Sequence, residues 1–166
     1  MSDVKVFLLW KTLDPVTSES DMVLGFLRRQ PENTEYVTSV CTGSLVLAAA
    51  GLLQGFKAAG HWMSRESLAE LGVDVPSERV VIDRNRVTGG GVTAGIDFGL
   101  RLASLLRGEA EAKLIQLQIE YNPAPPFDAG SPQSAGPDLV EAVRQRAATL
   151  QPARRVVVER VKHRLG

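Results

Sequence analysis

The residues best suited to chemistry in this 166-residue chain gather around its one cysteine, in Tyr36-Val-Thr-Ser-Val-Cys-Thr-Gly-Ser44. The β-branched run before Cys41 predicts a short buried strand, and the small residues behind it permit an abrupt entry into the apolar, helix-like segment 45–53. This is the pattern of a nucleophile elbow. Turning from strand to helix within about two residues pushes Cys41 toward a strained backbone conformation and holds its side chain at the carboxyl edge of a sheet, where ligands reach it. A helix that starts at Thr42 points its positive end and unpaired N–H groups at the sulfur, which favours thiolate. The same amides can stabilise an anion formed during reaction, and Gly43 and Ser44 leave room for a substrate. A lone cysteine is commonly a buried structural residue; here the strand–cysteine–small–helix context argues for a nucleophile.

Two further groups could serve such a site. His61, in Gly60-His-Trp62, would make a Cys–His pair of the hydrolase kind, whereas the adjacent Trp62 suits a packed structural histidine. The glycine loop Thr88-Gly-Gly-Gly-Val-Thr93 lacks both the Lys-Ser/Thr of a phosphate loop and dinucleotide-binding spacing, so it predicts close backbone approach to the site rather than phosphate binding. The Thr93 hydroxyl either lines the pocket or caps the next helix. Asp97, inside an apolar helical segment, reads as a partner for the loop or a cap rather than an acid.

Composition narrows the rest. The length suits one domain, residues 1–166, able to bury a sizeable core. With 19 basic and 19 acidic residues the formal charge is zero, which gives no general attraction to nucleic acid or membrane. A single cysteine allows no internal disulfide and points to a reducing compartment, the cytoplasm. The N-terminal apolar run is too short for a signal or membrane segment.

These groups need elements to hold them. Residues 4–10 predict a strand, 22–29 a helix with Arg28 and Arg29 suiting its last turn, and 79–83 and 86–88 a hairpin-like strand pair. Gly51 and Gly55 bracket the end of the elbow helix. Ser64 is placed to cap a helix carrying Leu68 and Leu71. Residues 94–106 predict a largely buried helix, 109–121 another, and 137–150 and 153–165 two amphipathic helices. Between them, Asn122-Pro-Ala-Pro-Pro-Phe-Asp-Ala-Gly-Ser-Pro132 must cross a surface in extended form. The basic run 154–164 reads as a solvated helix face.

Taken in order, Val40-Cys-Thr-Gly-Ser44, Gly60-His-Trp62, the segment from Asp83 to Gly99 and Pro125-Pro-Phe-Asp-Ala-Gly-Ser-Pro132 closely resemble the ThiJ/PfpI superfamily, and within it the isonitrile hydratase branch. The resemblance implies an α/β fold, a flavodoxin-like sandwich of the class I glutamine amidotransferase kind, and a homodimer. It implies hydration of a small-molecule isonitrile to an N-substituted formamide, with Cys41 as nucleophile, Thr42 supporting the chemistry, and no metal or organic cofactor. Gly43, His61 and Thr93 are the expected substrate contacts. Upstream the likeness thins: residues 4–18 align with the family's second strand and its turn, leaving the first strand and its acidic residue without counterparts and the sheet abridged. In an alternative alignment residues 4–14 are the first strand and Asp14 the acid; Glu19 is a second candidate. Two other readings fit the same elbow: another cysteine activity, glyoxalase-like or hydrolytic, and a non-enzymatic or redox-sensing relative. A DNA-binding regulator is disfavoured, since no recognition module is evident after Leu150.

Overall fold

In the computed structural model, which describes residues 6–9, 20–148 and 151–165, four strands form one sheet. They are β1 (Val6–Leu9), β2 (Tyr36–Val40), β3 (Val80–Asp83) and β4 (Arg86–Gly89), in the order β1-β2-β4-β3. β1, β2 and β4 run parallel, while β3 returns antiparallel to β4. The hairpin is the one expected from the sequence, and Arg84 takes the left-handed conformation at its turn, φ 53°. β1 pairs directly with β2, Leu9 opposite Ser39, a place that the first strand holds beside the third in a sheet ordered 2-1-3-4-5. Because the pair is parallel, the chain leaves Leu9 at the same edge as the elbow. Asp14 and Glu19 lie outside the described residues.

Alternation along β2 separates two packing layers. Val37 faces a core built from α1 (Asp21–Arg29), α2 (Gly43–Ala49), α3 (Arg65–Glu70) and the C-terminal α8 (Gln151–Leu165). Val40 and Val87 face the other way, onto Phe98 of α4 (Ala94–Arg107). α1 begins where Ser20 accepts the Val23 amide at 3.3 Å, and it ends on Arg28 and Arg29, charges that complement the helix dipole. It buries Leu24 and Leu27. Val157, Val158 and Val161 recur at helical spacing on α8 and are at most 2% exposed, which sets this helix against α2 and α3. Arg155, Glu159, Arg160, Lys162 and Arg164 of α8 are exposed, as its pattern predicts.

Three expectations change. α2 stops at Ala49 rather than running to residue 53, because Gly51 turns left-handed at φ 76°. Ser64 occupies the N-cap of α3, yet its buried hydroxyl makes no hydrogen bond. α4 buries only Ala94 and Phe98, leaving Ile96 44% exposed. It is covered on one side by the sheet and flanked by α5 (Glu109–Gln118). Beyond the extended proline stretch come two short helices, α6 (Pro132–Ala135) and α7 (Pro137–Arg146).

Candidate active site

Cys41 adopts φ 64°, one of the few non-glycine residues with a positive value among the described residues. The cost of such a conformation, of order 1–3 kcal/mol, is sustained only where the surroundings over-determine it. Here both backbone polar groups are tied. The Cys41 amide donates to Gly89 O at 3.0 Å, and its carbonyl accepts the His61 amide at 3.3 Å. The residue is half-buried. Thr42 follows at the N-cap of α2, 7% exposed, and Gly43 begins the helix fully packed.

The segment 58–61 lies against the elbow from the other side. A Cβ at Gly60 would meet Leu68 Cδ1 at 2.6 Å and Cys41 O at 3.5 Å, so a larger residue here would have to displace the Leu68 side chain. His61 starts the 3₁₀ turn Trp62–Ser64, and its Nδ1 accepts the Met63 amide at 3.3 Å. That bond assigns the proton of the neutral ring to Nε2. The imidazole therefore caps a turn, a role compatible with the packed histidine expected beside Trp62, whose ring lies 5.9 Å away.

A cleft of about 430 Å³ opens beside the elbow. Its walls include His61, Trp62, Arg79, Gly91, Thr93 and residues 130–133, but neither Cys41 nor Gly43. The glycine loop thus borders the cleft, as close backbone approach predicts: a Cβ on Gly91 would sit 3.6 Å from the His61 ring. Thr93 occupies the N-cap of α4 without a capping side-chain bond; its Oγ1 accepts from Arg79 at 2.9 Å. Arg79 Nε also donates to Asp97, whose other oxygen accepts the Tyr121 hydroxyl at 3.0 Å. Asp97 is thus neither an acid in the elbow nor a helix cap. It anchors Arg79. Burial first, then the bond to Asp97, push the Tyr121 phenol above its usual pKa, so it remains the donor through neutral pH. No group of three or more His, Cys, Asp or Glu side chains able to hold a metal comes together among the described residues.

Sequence reasoning missed the hydroxyls behind the elbow. Ser39, Ser44 and Thr88 are each 0% exposed, and they bridge strand, helix and segment 58–61 through bonds of 2.6–2.8 Å. A detectable signal was the placing of Ser39 two residues after Val37, on the same strand face. It also missed the wall formed by residues 130–133, since nothing local to that proline-rich stretch says where it lands.

Fold and site together define an α/β protein that presents a cysteine on a strained strand–helix elbow at the carboxyl edge of its sheet. The chain belongs to the DJ-1/PfpI family, whose pattern matches residues 14–105. It is 44% identical over 199 aligned positions to the isonitrile hydratase of Pseudomonas putida, covering 100% of this chain and 87% of the relative. The HTH-type transcriptional regulator CdhR of Pseudomonas aeruginosa shares 34% identity over 108 residues, 64% of this chain and 32% of the regulator. A solved THiJ/PfpI family protein from Pseudomonas syringae superposes with a TM-score of 0.83 at 39% identity, over 97% of this chain and 64% of that one. The chain therefore spans less than two thirds of the regulator and of the solved relative. Its 166 residues are spread over the 199 positions aligned with the hydratase, so the hydratase carries residues inside the matched span that have no counterpart here.

Proposed function

We propose that the protein is an isonitrile hydratase of the cysteine-dependent kind, a lyase forming N-substituted formamides. The strained Cys41 at the head of α2 carries the reading, and the 44% identity to a curated hydratase supports it. The Cys41 thiolate adds to the terminal isonitrile carbon as a general acid supplies one proton, giving a thioimidate. Water adds to that carbon; collapse expels the thiol and releases the formamide. Each turnover consumes one isonitrile and one water and regenerates the thiol. Thr42 supports the reacting carbon from the start of α2. The substituent extends into the cleft past His61 and Thr93, beside Arg79, whose charge is paired with Asp97. Asp14 and Glu19 are the carboxylates that the sequence offers as proton donor. The lone cysteine agrees with a reducing cytoplasm.

The deciding test is formamide release from a simple alkyl isonitrile by the purified chain. Turnover supports the assignment. Its absence in a folded sample favours the reading as a non-enzymatic or redox-sensing relative, which the 166 residues spread over 199 aligned positions also suggest. Preferential turnover of an α-oxoaldehyde would select the glyoxalase-like reading.

His61→Ala should lower kcat/KM only about three- to tenfold. The variant keeps the backbone N–H that meets Cys41 O and loses a turn cap, typically worth about 0.5–2 kcal/mol. A collapse comparable to loss of the nucleophile would make His61 the base of a Cys–His pair.

We further propose that a second copy covers α5 and its surroundings. Leu114, Leu117, Ile119 and Phe127 are 62%, 79%, 53% and 78% exposed, four large apolar side chains within one short stretch of chain, and apolar surface of this kind marks interaction sites where it gathers into a patch. In sedimentation, Leu117→Glu should weaken self-association at least about tenfold by placing a charge in an apolar contact. A wild-type chain that sediments as a monomer at micromolar concentration would dismiss this interface.

A further inference from the structure

The left-handed backbone at Cys41 is closed by a pair of side chains as well as by the two backbone bonds. Ser39 precedes the cysteine by two residues on β2, Ser44 follows it by three on α2, and their Oγ atoms lie 2.8 Å apart across the elbow. The Ser44 hydroxyl donates to Ala59 O at 2.6 Å. Its one proton is thereby used, so Ser39 must be the donor in the Ser39–Ser44 bond. On the next layer, the Ala59 amide donates to Thr88 Oγ1 at 2.7 Å. Two residues beyond Ala59, the His61 amide meets Cys41 O. The hydroxyls thus bind both arms of the elbow to each other and to the segment that holds the cysteine carbonyl.

Three buried hydroxyls in an otherwise apolar layer need a reason, because alanine or valine would fill the same space without polar groups to satisfy. Their placement supplies one. We infer that Ser39 and Ser44 form a clamp that keeps Cys41 in its left-handed conformation, and that they are positioning residues for the thiol. Without the clamp the two arms lose the side-chain bond that joins them across the elbow, while the backbone bonds to β4 and segment 58–61 remain. Cys41 can then relax toward negative φ, which turns its Cα–Cβ bond away from its present direction. For the hydration reaction this inference rests on the proposed function; for the placement of the thiol it does not.

The test uses the full chain and the variants Ser39→Ala, Ser44→Ala and the double substitution, with Ser64→Ala as control for removing a buried hydroxyl that has no partner. Since Cys41 is the only cysteine, the rate of alkylation by iodoacetamide reads that thiol alone. Each single variant should slow alkylation by about tenfold and lower kcat alike with KM unchanged. The double variant should be no slower than Ser44→Ala, which already removes both the Ser39–Ser44 and the Ser44–Ala59 bonds. Ser64→Ala should react at the wild-type rate. Ser39→Ala leaves the Ser44–Ala59 bond intact, so it decides the matter even if Ser44→Ala does not fold. Wild-type alkylation rates in a folded Ser39→Ala protein, whatever its melting temperature, would overturn the clamp and leave the serines as ordinary core residues. If the wild-type chain releases no formamide, the proposed function fails while the alkylation arm still tests the clamp.

Discussion

Cys41→Ala is expected to abolish formamide release, lowering kcat by at least about a thousandfold, the scale on which removing a covalent nucleophile acts. The fold should survive. The half-buried side chain loses one sulfur, and the bonds from the Cys41 amide to Gly89 and from the His61 amide to Cys41 O involve backbone alone. Alanine meets the same left-handed penalty as cysteine at φ 64°, so the melting temperature should move by no more than a few degrees. Cys41→Gly is the informative partner: equally inactive, but more stable than the alanine variant by about 1 kcal/mol, because glycine adopts positive φ without that penalty. Assay of formamide and thermal melts of the same samples check both halves. Undiminished turnover in the alanine variant would end the covalent mechanism.

The second large effect lies far from the chemistry. Val158→Asp should cost more than about 4 kcal/mol, since it places an unpaired carboxylate at a position 1% exposed. Against the 5–15 kcal/mol that an ordinary domain has in total, the variant should be largely unfolded. The elbow would be lost with it, because α8 packs on α2, the helix that begins two residues after the cysteine. Val156, two residues earlier on the same helix, is 49% exposed, and its substitution by Asp should stay within about 0.5 kcal/mol of wild type. Circular dichroism melts of the pair give the comparison. Equal melting temperatures would show that α8 does not seal the core.

Local chemistry made much of this molecule readable from its residues. The β-branched run before Cys41 and the small residues after it specified strand, elbow and helix, and the structure places them at 36–40, 41–42 and 43–49. The hairpin was legible from its turn, and the packing face of α8 from the spacing of its valines. The ordered motifs were sufficient to identify the family. The exposure of Ile96 was not readable, because an apolar helix does not say how many of its sides a short sheet will cover. Nor was the end of α2: Gly51 and Gly55 both adopt positive φ, and the helix stops ahead of the first of them. Above all, the Ser44–Ala59 bond, the close approach of Gly60 to Cys41 and the cleft wall at 130–133 join residues distant in the chain. A hydroxyl in a sequence carries no record of its partner. Only tertiary packing decides which carbonyl it meets, and here that packing brings three segments to one strained cysteine.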